Sequence, residues 1–310
     1  MPPQRAMSEQ EREKALKRIL ATEKADMTRT VLGVSIGITA VFIFLAILDG
    51  IGSVSLPLEP VDYAIFAILA LIGPYGFYAS AKERHTREIE TRLPDFLRDV
   101  AEAGRFGMTL ADAVVVASSG RYGRLTPEIK KMAAQIEWGV PASEAIRLFS
   151  DRVKTPLVTR MASIIMKAND AGGNVADVLT MVSHDAKETI LTAQERGLTM
   201  QTYVLVIYIS FFVFIATILI LQGQFLPKME EAGTQVSKQA EKAGVGEIPG
   251  VSIHVGIIPT ISFIFLLSVV VHAVGDGLLA GVIQKGSIPM GMRHSFIMLV
   301  AGFIMLRIVG

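Results

Sequence analysis

Five stretches of this chain, 31–48, 63–78, 203–221, 255–274 and 295–309, are almost uninterruptedly apolar. Each is near the roughly 20 residues an α-helix needs to cross the hydrocarbon core of a bilayer. A backbone in lipid must satisfy its own polar groups, and a single apolar stretch does that only as a helix. The mean hydropathy of +0.47 is too high for a soluble globule of 310 residues. The sequence therefore predicts an all-α polytopic membrane protein with about five transmembrane helices and a cytoplasmic helical bundle. Pro74, Pro259 and Gly302 fall inside spans, where neighbouring helices absorb a kink.

Basic residues near the span ends set the orientation. The tail 1–29 carries Arg5, Arg12, Lys14, Lys17, Arg18, Lys24 and Arg29, which places it in the cytoplasm of a plasma-membrane protein. It is too polar for a cleavable signal. Transmembrane helices 1 and 2 occupy 30–81. Lys82, Arg84, Arg87, Arg92 and Arg98 follow, so the polar block 82–200 is also inside. The region 201–310 holds helices 3 to 5, with an outer loop at 222–254 and an inner loop at 275–294.

The polar block carries most of the specific signal. Three glycines, Gly107, Gly139 and Gly172, are each followed at the fifth residue by an acid: Asp112, Glu144 and Asp177. Glycine ends one helix in a left-handed turn. Thr109 or Asn174 then caps the next helix, with Asp112 or Asp177 completing a capping box at its positive end. In the middle copy Pro141 replaces the cap. The three copies read either as an internal helical repeat or as three ordinary helix starts. Further starts are expected at Leu93-Pro94, Thr126-Pro127 and Thr155-Pro156. Trp138, the only tryptophan, is expected to anchor packing. The last helix has no break from 175 to 221, a length of about 70 Å.

Several chemistries find no residues to perform them. There is no cysteine, so thiolate metal sites and cysteine nucleophiles are excluded. No phosphate loop of the Gly-x-x-x-x-Gly-Lys-[Ser/Thr] type occurs. His184 and Glu188 lie one helical turn apart without a third ligand. Asp276, in Gly275-Asp276-Gly277, lacks the second aspartate a membrane aspartyl protease requires; it is expected to cap an inner turn. Gly277 and Gly281 form a small-xxx-small pair suited to close helix contact. No catalytic, cofactor or metal site is predicted.

A basic cluster comprises Arg105, Arg121, Arg124, Lys130 and Lys131. Interleaved acids and the near absence of aromatics argue against nucleic acid. It is either a solvated face or a docking surface for an acidic patch on a soluble partner.

The order of these features matches a known pattern. Leu93-Pro-Asp-Phe-Leu97 is followed by Gly107-Met-Thr-Leu-Ala-Asp-Ala, by Trp138-Gly-Val-Pro-Ala-Ser-Glu-Ala and by Ala171-Gly-Gly-Asn-Val-Ala-Asp-Val-Leu. A long helix then enters the membrane. This resembles the type II secretion system F domain family, the platform proteins of type IV pili, type II secretion, tight-adherence pili and the archaellum. The glycine-rich stretch from Gly277 to Gly291 looks like the archaeal branch. The resemblance implies a non-enzymatic role. A cytoplasmic hexameric ATPase docks on the inner helices, and its motion lifts pilin-like subunits out of the bilayer. Because only one copy of the domain is present, it implies a homodimer or a pairing with a paralogue. The other class left open is a permease subunit driven by a separate ATPase. Its docking helix would begin at Glu102-Ala-Gly, but the pattern does not continue and the spans are poor in charge.

Overall fold

The computed structural model describes residues 27–51, 57–242 and 257–309. Most of the tail 1–29 and part of the segment 222–254 lie outside them. The described residues form ten α-helices and no strand. These are α1 (Thr28–Gly50), α2 (Pro60–Arg105), α3 (Leu110–Ala117), α4 (Thr126–Glu137), α5 (Ala142–Val153), α6 (Pro156–Asp170), α7 (Val175–Ile220), α8 (Leu226–Lys242), α9 (Ile258–Lys285) and α10 (Ile288–Val309). A 3₁₀ turn, Gly123–Leu125, precedes α4, and a π turn, Leu221–Phe225, joins α7 to α8. Among the described residues, five helical segments are long and apolar enough to span a bilayer. They contain α1, α2, α7, α9 and α10, so the chain is a multi-pass, all-α membrane protein.

The chain divides into two compact units. The apolar unit takes 27–80 and 197–310; the polar unit takes 81–196. In the apolar unit, Phe211 and Ile215 of α7 pack with Val269 of α9, Met298 and Leu299 of α10, and Ile65 of α2. Outward faces such as those of Val34, Phe44, Val213 and Val271 stay exposed and apolar. Such faces suit a lipid solvent.

Helices α9 and α10 are the most closely paired elements. At Gly281 a Cβ would fall within contact of the backbone of Gly291, and at Gly277 within that of Ser295. Only glycine allows backbones this near, the device expected of small residues between membrane helices. Ser295 Oγ donates across the same seam to the carbonyl of Val274 at 2.8 Å. This packing corrects the reading of 275–294 as a loop. Apart from Gly286 and Ser287 the segment is helical. Gly286 closes α9 at φ 66°, its N–H reaching the Val282 carbonyl at 2.7 Å. Asp276 thus lies within α9, one turn from His272 at 3.5 Å, and caps nothing. The segment 222–254 likewise contains the helix α8.

The polar unit has its own core, built from Leu93, Val100, Val114, Leu125, Ile129, Met132, Val158 and Met161, all nearly inaccessible. One predicted helix start is absent. Leu93-Pro94 opens nothing, because α2 runs through it from Pro60 to Arg105. An interior proline costs about 3 kcal/mol. Leu93, Phe96 and Leu97 are each buried, and burying such side chains contributes roughly 1.5–3 kcal/mol apiece. Packing therefore outweighs the local signal. Ser183 of α7 bonds the Pro94 carbonyl at 2.9 Å and ties the two long helices together within this unit.

Candidate functional site

The polar unit has two ends. Residues 81 and 196, where the chain enters and leaves it, define one. Helices α2 and α7 run from there to the far end, where Gly104 lies against Ala176. The intervening helices alternate in direction. The turns at 106–109, 138–141 and 171–174 consequently all fall at the far end, and those at 118–125 and 154–155 nearer the first.

The three far-end turns are built alike. Gly107, Gly139 and Gly172 adopt φ of +86°, +90° and +66°. In the first, Thr109 Oγ1 accepts from the Asp112 N–H at 3.2 Å and donates to the Asp112 carboxylate at 2.6 Å. In the third, Asn174 Oδ1 accepts from the Asp177 N–H at 3.5 Å while its amide donates to Asp177 at 2.6 Å. Each acid therefore bonds the capping side chain rather than the cap's backbone N–H, the partner in a full capping box. In the middle copy Pro141 provides no side-chain cap. Glu144 is bonded instead by Arg147 at 2.8 Å, which holds its carboxyl below the usual range. Ser143 donates to Asp170 at 2.8 Å and accepts from Asn169 at 2.9 Å, fastening the second turn to the third.

The same end displays large apolar side chains. Phe106 is 86% exposed, Met108 is exposed, and Trp138 is 39% exposed. Trp138, expected to anchor packing, is thus partly exposed at this end. It directly precedes Gly139, as Phe106 precedes Gly107, so the turn that frees the backbone also turns the aromatic outward.

The basic residues grouped by sequence are spread apart. Arg105 closes α2 at the far end and is exposed. Arg121 and Arg124 sit on the 118–125 turn instead. Arg124 pairs with Glu88 of α2 and donates to His85 Nδ1 at 2.9 Å. Lys131 pairs with Glu128 at 3.0 Å, a carboxylate that also receives Arg152 at 3.0 Å. Burial pushes the Glu128 pKa up, but the hydrogen bonds from Lys131 and Arg152 prevail and leave it lowered. Lys130 and Arg121 are exposed and, among the described residues, carry no ion pair. Beside them, Tyr122 donates to Asp99 at 2.6 Å, and its hydroxyl oxygen also lies 3.1 Å from the Ala117 carbonyl. Its burial, then the Asp99 contact, push its pKa well up.

Among the described residues, no three histidine or carboxylate side chains converge as a metal site. What the polar unit offers is surface: an apolar, partly basic far end and a basic flank near its first end.

Residues 96–223 match the family described as Type II secretion system (T2SS), protein F. An uncharacterized protein of Methanocaldococcus jannaschii, MJ1286, is 29% identical over 246 residues, covering 79% of this chain and 38% of the relative. Flagella accessory protein J of the same organism is 22% identical over 155 residues, covering 49% of this chain and 28% of the relative. The chain spans well under half the length of either relative. No solved structure matches it. The stretch from the buried Phe96 through the bundle into the apolar part of α7 is thus the part of the chain that is similar to the type II secretion system protein F family.

Proposed function

We propose that this chain is the membrane platform of a type IV filament machine, a pilus or an archaellum. It couples a cytoplasmic hexameric ATPase to the insertion of pilin-like subunits, with its N-terminal tail and polar unit inside the cell. It catalyses nothing itself and works as a homodimer or beside a paralogue. The family match over 96–223 and the likeness to flagella accessory protein J support the machine. The observation that carries the docking role is the far end of the polar unit. Phe106, Met108 and Trp138 are exposed there with Arg105, on an otherwise well-filled bundle. Exposed aromatics beside an arginine are the composition of binding hot spots. Of the basic residues weighed as docking contacts, Arg105 belongs to this surface. Arg121, Lys130 and the ion-paired Arg124 and Lys131 lie away from it and contribute less.

The full-length protein in detergent, mixed with the secretion ATPase of its own cell, tests the reading. Joint replacement of Phe106 and Trp138 by serine is expected to weaken retention of the ATPase about tenfold or more, as loss of central aromatics does at other interfaces. Undiminished retention by a well-folded double variant would refute docking at this end.

A further inference from the structure

The other end of the polar unit carries a second surface. A shallow cleft between α2 and the Gly123–Leu125 turn is lined by Arg84, Arg87, Arg92, Arg124 and Glu88. Arg84 pairs with Glu88 at 3.1 Å, and Arg124 shares that same carboxylate. Arg92 reaches Asp95 at 3.4 Å. Arg87 has no ion pair among the described residues. Two carboxylates therefore serve four guanidinium groups, and the cleft keeps an excess of positive charge. It is also a built feature. The bond from Tyr122 to Asp99, beside the Ala117 carbonyl, fixes the turn, and Gly123, at φ +56°, brings Arg124 back towards α2.

Guanidinium forks match the oxygens of phosphate, which they bind in pairs. The cleft's position along α2 says which phosphates are near. Ser80 is the last residue of the apolar unit, and Arg84 follows four residues later. At 1.5 Å per residue Arg84, Arg87 and Arg92 lie about 6, 10 and 18 Å along the helix, so the near half of the cleft is the part within reach. The polar layer on each side of the hydrocarbon core is about 5–8 Å thick. Arginine stems extend the reach further. Tyr75 and Tyr78, within the three turns before Arg84, are the residue type that settles at a membrane interface. Negatively charged cytoplasmic leaflets attract basic segments only within a Debye length, about 8–10 Å.

We propose that this cleft binds the phosphate of an anionic lipid headgroup at the cytoplasmic face, seating the first turns of the polar unit on the membrane surface. The assignment rests on the cytoplasmic placement of the polar unit proposed above, but not on the filament reading or on any ATPase.

The test uses the full chain in neutral detergent, titrated with phosphatidylglycerol or phosphatidylcholine and read as lipid adducts by native mass spectrometry. Amide exchange over 84–92 and 121–125 is followed in parallel. The wild type is expected to retain phosphatidylglycerol in preference to phosphatidylcholine, less so at high salt. Replacing Arg87 and Arg124 by glutamine should weaken phosphatidylglycerol retention about thirty-fold. That corresponds to roughly 1 kcal/mol for each basic residue near an anionic surface. Arg84→Gln with Arg87→Gln is the second variant and leaves the Arg124 contacts in place. Arg98→Gln with Lys130→Gln, equal in charge but outside the cleft, should change little. Equal loss in this control pair, or unchanged retention in both cleft variants, overturns the proposal. So does protection of the cleft by inorganic phosphate alone as strong as that by lipid, which would make it a soluble-anion site. Cleft variants that keep lipid but lose the ATPase would assign the surface to a protein instead.

Discussion

The guanidinium of Arg307 bonds the carboxylate of Asp62 from 245 residues away, and that carboxylate is fully buried. Arg307 Nε meets Asp62 Oδ1 at 3.2 Å, a second nitrogen meets Oδ2, and Glu59 accepts from the same group at 3.2 Å. The pair links the first turn of α2 to the last turn of α10. Removing one partner of a buried pair costs about 3–5 kcal/mol. Arg307 keeps 41% of its side-chain surface exposed and has Glu59 to fall back on, so about 1–3 kcal/mol is expected here. Asp62→Ala should lower the unfolding temperature in detergent, and Asp62→Arg with Arg307→Asp should recover part of the loss. A double variant as unstable as the sum of the single changes would show that the pair contributes no coupling.

Gly281 and Gly275 lie on one helix and should respond oppositely to a methyl group. A Cβ at Gly281 runs into the backbone of Gly291 and Met290, whereas one at Gly275 meets nothing within 4 Å. A clash with backbone is not relieved by a rotamer change, so Gly281→Ala must force α9 and α10 apart. Gly275→Ala keeps its space and gains about 0.5–1 kcal/mol of helix preference. Size-exclusion profiles and thermal unfolding of the two variants in the same detergent check this. The first should aggregate or melt early, and the second should match or exceed the wild type.

The acid limb of the polar unit's stability should carry a contribution from Glu128. Its folded pKa is lowered from the ordinary 4.5 because the bonds from Lys131 and Arg152 exceed the cost of burial. A group held low in the fold stabilises it fully above its unfolded pKa, and that contribution fades as pH falls through the folded one. The loss therefore begins only below about pH 4.5. Hydrogen exchange over α4 and α5 between pH 7 and pH 3 reads it. Glu128→Gln should lower protection at pH 7 and leave a flatter dependence below pH 4.5. An unchanged slope would mean the carboxylate does not titrate in folding.

What could be read from the chain was what local physics decides. The apolar runs fix helices because lipid leaves the backbone no other partner. Gly107, Gly139 and Gly172 announce turns because each must reach positive φ. Elsewhere, tertiary packing overrode the local signal. Pro94 reads as a start, yet the buried Leu93, Phe96 and Leu97 carry the helix through it. The segment 275–294 reads as a loop, yet the smallness of Gly277, Gly281 and Gly291 is what allows two helices to touch there. The basic residues looked like one cluster because sequence distance hides the fold. Arg105 lies 16 residues before Arg121 but closes α2, while Arg121 sits on a separate turn and Arg124 reaches across 36 residues to Glu88. Asp62 and Arg307 could not have been matched from sequence at all, since no periodicity relates residues at the two ends of a membrane unit.

Tyr122 shows how one hydroxyl holds the turn on which the basic flank depends. Its ring stands edge-on to Phe96, with centroids 5.6 Å apart, and its hydroxyl donates to Asp99 while also lying 3.1 Å from the Ala117 carbonyl. Burial and the Asp99 carboxylate both favour the protonated phenol, so the bond to Asp99 persists across physiological pH. Tyr122→Phe keeps the ring and deletes only the oxygen, at a cost of about 1–2 kcal/mol for the bonds lost. For a unit of this size that is a fall of roughly 4–8 °C in unfolding temperature. Because Arg124 is aimed by the same turn, the variant should also loosen the Arg124–Glu88 contact and raise amide exchange at 121–125 more than at the far-end turns around Gly139 and Gly172. Equal exchange at both ends would mean the turn is held by Leu125 and Ile129 in the core, with the hydroxyl adding stability but no shape.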